Sequence, residues 1–303
     1  MSRSLSADQL AHYASNGYVS PVVAFSRAQA AAYRSRLESM EQRDGAIPHD
    51  RRRKMHLYLQ WVDEIVHHPH ILDAVENLIG PDILLYHLTL WMKEPHSEAR
   101  ISWHQDSTYF GLSPAPGRPK PDGHPPWGDR AQREGAWSPA QHVTAWVALS
   151  PSDLESGCVQ VVPGSHRAGQ VRHGVGELAG NMLKTGQEIE VPADASIDTL
   201  TLRPGEFSLH HTWLHHNSLP NRSHDRRIGL GISYIPTDCR CISRQRLSAM
   251  LVRGTDRHRH FDQEVRPSGD MEAAALSRHA DSMARWHRAR EQLIAEAHGT
   301  KYN

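Results

Sequence analysis

Residues 83–93 read Ile-Leu-Leu-Tyr-His-Leu-Thr-Leu-Trp-Met-Lys. A run this rich in aliphatic and aromatic residues reads as one long strand, and the character of the chain changes where it begins, at Asp82. Downstream, similar runs recur at 101–106, 143–149, 158–162, 187–191, 206–211 and 226–235. Turn signals separate them, notably Pro163-Gly164-Ser165 and Pro204-Gly205. Upstream the pattern is helical. Ser6 with Gln9 and Ser26 with Gln29 are capping signals that open helices to about Ser15 and Glu41, with a strand from Tyr18 to Phe25 between them. Asp63 to Ile79 reads as a helix interrupted by Pro69, and 272–297 as a last amphipathic helix. Many short strands with helices gathered at the ends make a mainly β fold with helical additions, a sandwich or jelly roll.

The expected organisation is one domain over 1–303, with a helical part to about 80, a β core over about 82–238 and the C-terminal helix. The Pro- and Gly-rich stretch from Ser113 to Gln141 is too long for a plain connection and reads as a lid or pocket wall.

Composition excludes several classes. Basic and acidic side chains balance at 34 each, which argues against a nucleic-acid partner. No run is long enough for a membrane span, and MSRSLSADQL lacks the apolar core of a signal peptide. Three cysteines, Cys158, Cys239 and Cys241, suit a reducing compartment, so the expected location is cytoplasmic. Cys239 and Cys241 lack a second pair and do not read as a zinc site. The anomaly is 23 histidines, because imidazole is the commonest metal ligand. Most read as bystanders. His67, His68 and His70 lie on a helix that points neighbours apart. His258 and His260 sit in a charged run, and His279 and His287 suit the polar face of the last helix. Arg51 to Lys54 reads as a solvated basic loop.

His104 and Asp106, two apart in a strand-like run, should share a face and form a two-pronged metal grip. Two histidines and one carboxylate on one face make the triad of non-haem Fe(II) oxygenases. The third ligand should come from His210, His211, His215 or His216, and spacing leaves all four open. In the strand after them, Arg226, Ile228, Leu230 and Ile232 alternate with Arg227, Gly229, Gly231 and Ser233. The second set is small beyond Arg227. It is expected to leave a cavity with a guanidinium at its edge, suited to gripping a carboxylate.

Three ordered blocks, WHQDSTYFGL, VTAWVALSPSDLESGCVQVVPGSHR and HNSLPNRSHDRRIGLGISYIPTD, resemble the phytanoyl-CoA dioxygenase family. The resemblance runs from about Asp82 to Asp238. It implies a double-stranded β-helix (jelly roll, cupin-like) and Fe(II), 2-oxoglutarate and O2 as cofactors and cosubstrates, with ascorbate as reductant in vitro. It implies His104 and Asp106 as iron ligands. The family's distal histidine stands eleven positions before its oxoglutarate arginine, which from Arg227 gives His216. Ser218 matches a contact to the oxoglutarate carboxylate, Thr89 and Trp146 match pocket positions, and His166 reads as structural. The implied activity is hydroxylation of a small molecule, such as a natural-product or metabolite intermediate. Retention of Asp106 argues against halogenation. Desaturation, cyclisation or epimerisation could use the same iron site, and a non-catalytic metal-binding jelly roll is the alternative from another class.

Overall fold

Ser6 and Ser26 each open a helix by reciprocal capping. Ser6 Oγ accepts from the Gln9 amide at 3.2 Å, and Gln9 Oε1 accepts from the Ser6 amide at 2.9 Å. Ser26 and Gln29 repeat the pair at 3.2 and 3.0 Å. These contacts satisfy amides that a helix start leaves unpaired. The helices are α1 (Ala7–Asn16) and α2 (Arg27–Asp44). The stretch expected as one interrupted helix is two, α3 (Gln60–Val66) and α4 (Pro69–Ile79). Pro69 has no amide hydrogen, so it suits the first turn of a new helix and not the middle of an old one. A single turn, α5 (Ser107–Phe110), and the long α6 (Ala273–Gly299) complete the set described. This computed structural model describes residues 5–113, 142–171, 173–183 and 187–299. The expected lid, apart from Ser113, falls on 114–141, outside the described residues. Among the described residues no helix is long and apolar enough to cross a membrane.

The strands form two principal sheets. The larger runs β1 (Tyr18–Val23), β7 (Glu206–His211), β4 (Val143–Ala148), β9 (Arg227–Pro236), β2 (Ile83–Lys93), β10 (Ser248–Arg253) and β11 (Asp262–Gln263). The smaller runs β3 (Ile101–His104), β8 (His216–Ser218), β5 (Val159–Val161) and β6 (Asp198–Leu200). Pairing is antiparallel except between β10 and β11. The arrangement is the expected jelly roll with helical additions. The run expected as a strand over 187–191 forms one only at Gln187–Glu188.

The two faces of β2 and β9 divide the work. Ile228, Leu230 and Ile232, with Leu88, Leu90 and Met92, are buried in one cluster with Trp61, Leu72 and Val75 of the helices. Each such side chain contributes about 1.5–3 kcal/mol by leaving water. That outer face holds the fold together and leaves the inner face available for polar groups. On the inner face the register sets Arg227 opposite Lys93, Gly229 opposite Trp91, Gly231 opposite Thr89 and Ser233 opposite His87.

The cavity expected beside Arg227 is present but small, because two indoles take up much of the room that the glycines leave. A Cβ on Gly229 would lie 2.3 Å from Trp146 Cζ2, and one on Gly231 would lie 2.9 Å from Trp91 Nε1. The glycines make room for two indoles. Gly229→Ala is therefore expected to destabilise the protein by about 1–3 kcal/mol through overpacking. Chemical denaturation measures this, and an unchanged midpoint would show that the indole moves aside freely.

The basic run is not a uniformly solvated loop either. Arg51 is exposed, but Lys54 is buried, and its Nζ donates to the Ser248 carbonyl at 2.9 Å and to Glu264 Oε1 at 2.5 Å. A desolvated ammonium needs such a partner, and α6 together with Glu264 supplies the setting. His279, expected on a polar face, is 6% exposed, and its Nε2 bonds the Arg53 carbonyl at 2.8 Å.

Candidate functional site

His104 ends β3 and His216 begins β8, and the two residues are direct cross-strand partners with ring centroids 4.0 Å apart. Asp106 reaches the same point by a different route from the one expected. β3 stops at His104, and Asp106 is helical (φ −63°, ψ −38°) at the entrance to α5. The backbone turn, not strand alternation, brings its carboxylate back. Asp106 Oδ1 lies 3.8 Å from His104 Nε2 and 3.6 Å from His216 Nε2. Among the described residues, these three make the candidate metal-binding group, with one donor atom from each lying within 4.8 Å of the others.

The donor set fits a divalent ion. His104 Nδ1 bonds the Ser102 carbonyl at 2.8 Å, and His216 Nδ1 bonds the Leu214 carbonyl at 2.9 Å. Each bond places the proton on Nδ1 and so leaves an unprotonated Nε2 facing Asp106. Burial lowers the pKa of both imidazoles and so favours the neutral form that ligation needs. Burial alone would raise the Asp106 carboxyl, but His216, His210 and His104 together hold it well below the ordinary range.

The four candidate histidines separate clearly. His211 packs on His166 with centroids 5.2 Å apart and accepts from the Trp213 amide, while His215 lies half-buried outside the group. His210 approaches the other carboxylate oxygen, with Nε2 3.3 Å from Asp106 Oδ2. Thr144 Oγ1 donates to that same oxygen at 2.7 Å and lies 3.4 Å from His142 Nε2. His142 Nδ1 in turn meets Thr212 Oγ1 at 2.7 Å. Sequence reading named His210 among the candidate ligands but missed Thr144 and His142 as neighbours of Asp106. Thr144 stands two residues before Trp146 and so on the same strand face, which was the available signal.

Across the inner face, Arg227 is fully buried. Its Nη1 donates to the Gly157 carbonyl and to Ser218 Oγ, both at 2.9 Å. Among the described residues its Nε and Nη2 have no partner, and burial pushes its pKa down to about 10. Trp146 lies beneath the guanidinium, 5.1 Å from the ring centroid. Buried donors without partners are costly and rare, so these two atoms point to an acceptor such as a carboxylate. Arg226 faces away and pairs with Glu41 at 2.7 Å and Glu94 at 2.9 Å. Lys93 was also missed. Its Nζ donates to Ser218 Oγ at 2.6 Å, to the Ser218 carbonyl at 3.1 Å and to the Leu219 carbonyl. Arg227, Ser218, Trp146 and the metal group line one small cavity of about 50 Å³. Thr89 shares the inner face but is not among the residues lining that cavity. His166 is structural: it packs under Gly17, where a Cβ would lie 2.6 Å from its Nδ1.

A family model for phytanoyl-CoA dioxygenase matches residues 13–229. The chain belongs to the phytanoyl-CoA dioxygenase family. The match runs from α1 into β9 and takes in the metal group and Arg227. Fe(II) and 2-oxoglutarate are the cofactors of this family. Rat peroxisomal phytanoyl-CoA dioxygenase is 28% identical over 179 residues, 58% of this chain and 46% of its own length. The 1-deoxypentalenic acid 11-beta-hydroxylase of Streptomyces arenae is 26% identical over 201 residues, 62% of this chain and 58% of its own. The chain thus spans about half the length of the curated family members it matches. Among solved structures, the non-heme monooxygenase ThoJ is 30% identical with a TM-score of 0.75, and the match covers 94% of this chain and 98% of that one.

Proposed function

We propose that the protein is an Fe(II)- and 2-oxoglutarate-dependent dioxygenase that hydroxylates an unactivated C–H bond of a small molecule, a natural-product or metabolite intermediate. One observation carries the reading. A His-Asp-His group with both imidazoles buried, and a buried guanidinium with two nitrogens unpartnered among the described residues, border the same cavity. His104, Asp106 and His216 would hold the iron. Arg227 and Ser218 would grip the distal carboxylate of oxoglutarate, with Trp146 packed against it and Thr89 further along the face. Bound iron and oxoglutarate would supply C–H oxidation by O2, with succinate and CO2 as the coproducts. The chain's own residues bind, orient and exclude water. Retention of Asp106 favours hydroxylation over halogenation. Purified protein with Fe(II), ascorbate, O2 and oxoglutarate should form succinate slowly even without substrate. A true substrate should gain the mass of one oxygen. Loss of two hydrogens would instead make it a desaturase or cyclase.

Thr144 would hold Asp106 in the one-oxygen grip that leaves iron positions open. Thr144→Val, which removes only the hydroxyl, is expected to weaken Ni(II) or Co(II) binding by about tenfold, in the range typical for a ligand's outer partner. Thr144→Ser should restore it. Equal affinities in all three proteins would remove Thr144 from the site.

Lys93 gives a pH signature. Burial, with Arg227 adding to it, pushes its pKa down to about 6. A carboxylate docked beside Arg227 would raise it again. A group whose pKa rises on binding takes up a proton at any pH between the two values, so oxoglutarate binding should take up protons near pH 7. Calorimetry in two buffers of different ionisation enthalpy measures the uptake, and identical heats would contradict it.

A further inference from the structure

His210 is a third imidazole beside Asp106, and its surroundings differ from those of His104 and His216. It sits inside β7, with Tyr18 of β1 opposite it on one side and Thr144 of β4 on the other. Residues directly opposite in such pairs point to the same face, so His210 and Thr144 rise side by side from the inner face. The His210 ring is 2% exposed and borders the same cavity as the metal group, with its centroid 4.7 Å from that of His216. Its Nε2 lies 3.3 Å from Asp106 Oδ2, close enough for a hydrogen bond but not aligned as one. Its Nδ1 is buried and has no partner among the described residues.

These surroundings decide where the ring carries its proton. A neutral imidazole has one N–H and one lone pair. In His104 and His216, Nδ1 meets the carbonyl two residues back, that of Ser102 and that of Leu214, which accepts from it. His210 has no such acceptor. It belongs to a strand paired on both sides, where the backbone carbonyls are spent in the ladders. A proton on Nδ1 would be a buried donor without an acceptor, and it would turn a bare Nε2 lone pair on a carboxylate oxygen. Both are unfavourable. A proton on Nε2 leaves only an unpaired acceptor at Nδ1, which folded proteins tolerate more often than an unpaired donor. A modest turn of the ring then aligns Nε2–H with Oδ2.

Oδ2 already accepts from Thr144 Oγ1 at 2.7 Å. A carboxylate offers about four lone-pair sites, half of them on each oxygen. With Thr144 and His210 both donating, Oδ2 is filled and Oδ1 remains. Oδ1 is the oxygen that faces the two ligand imidazoles, 3.8 Å from His104 Nε2 and 3.6 Å from His216 Nε2.

We propose that His210 carries its proton on Nε2, the opposite tautomer to the two ligand histidines, and donates a hydrogen bond to Asp106 Oδ2, so that with Thr144 it clamps that oxygen and leaves Oδ1 alone for the ion. His210 is then a positioning residue, acting on the metal through Asp106. The proposal rests on the iron reading and adds to it the reason that Asp106 supplies one donor atom and not two, which keeps positions open for oxoglutarate and O2.

The tautomer is read directly by long-range nitrogen–proton NMR of the full wild-type chain, isotopically labelled at its histidine nitrogens and loaded with Zn(II), which is diamagnetic and does not turn over. The His210 signals are those lost in His210→Gln. They should show a proton on Nε2, while the signals of the metal-bound rings show it on Nδ1. A His210 proton on Nδ1 alone overturns the proposal. The second measurement is Co(II) affinity. His210→Phe keeps a flat ring and removes the donor, and it should weaken Co(II) binding by about tenfold, as loss of a ligand's outer partner does. His210→Gln, whose amide N–H reaches towards the same oxygen, should stay within about threefold of wild type on the same scale. A role in filling space alone predicts the reverse order, because phenylalanine replaces the ring better than glutamine does. Equal affinities, or that reverse order, overturn the clamp. Failure of the wild type to bind either ion overturns the iron reading instead, and the tautomer, read on the metal-free chain, then decides the hydrogen bond by itself.

Discussion

Replacing His104 or His216 by alanine should abolish oxoglutarate-dependent succinate formation and weaken divalent metal binding by more than about 100-fold. The scale follows from a lesser change: losing only the outer partner of a ligand already costs about 10–100-fold. With three protein donors in the group, removing one leaves a two-point grip on an ion that also has to accept cosubstrate. The experiment pairs succinate release with a Ni(II) or Co(II) titration, so that loss of metal is separated from loss of turnover. His215→Ala is the control, since that ring lies outside the group. His210 is the informative comparison. It faces the second oxygen of Asp106 at 3.3 Å, and His210→Ala should loosen the carboxylate without emptying the metal site. If His216→Ala still bound metal and turned over while His210→Ala did neither, the third ligand would be His210.

Arg227→Met should raise the oxoglutarate dissociation constant by about 100-fold, because removing one member of a buried charge pair costs on the order of 2–5 kcal/mol. The same change should leave the ligand-free protein as stable as before or more so. Without oxoglutarate, Arg227 is a buried cation whose Nε and Nη2 are unpartnered among the described residues, and replacing buried charge by an apolar side chain of similar length is often neutral or stabilising. The groups it leaves behind remain satisfied. Ser218 Oγ still donates to the Gly157 carbonyl at 2.8 Å and still accepts from Lys93 at 2.6 Å. Thermal melting without ligand and calorimetric titration with oxoglutarate read the two halves. An unchanged dissociation constant would move the anchor elsewhere, though not to Arg226, whose guanidinium is already occupied by Glu41 and Glu94.

What the chain disclosed in advance follows from the range of each interaction. Capping boxes, the long strand at 83–93 and the alternation in β9 are local patterns, and they read correctly. The choice of Arg227 over Arg226 needed only the two-residue period of a strand, and the structure sets these residues on opposite faces. The singling out of His216 needed the family spacing, because four imidazoles within seven residues look alike until folding buries two of them at one point. Lys93, Thr144 and His142 were missed because each gains its meaning from a partner at least 38 positions away. That Trp146 and Trp91 fill the space at Gly229 and Gly231 was missed for the same reason. A small residue in sequence shows that something approaches, not what approaches. Arg53 and Lys54 were misjudged by composition: a basic run suggests solvent, yet one of these side chains is buried against Glu264 and the other lies over an indole.

The direct pairing of His104 with His216 links the bound ion to the folding equilibrium. These residues belong to two strands of the short sheet, whose pairing shifts register immediately after them. An ion held by both rings closes a loop of more than a hundred residues, and it can do so only while the strands are paired. By mass action such an ion stabilises the native state by about 2.7 kcal/mol at a hundred times its dissociation constant. The smaller sheet is then least secure when the metal is absent, so a chelator should act on this protein as a local denaturant as well as an inhibitor.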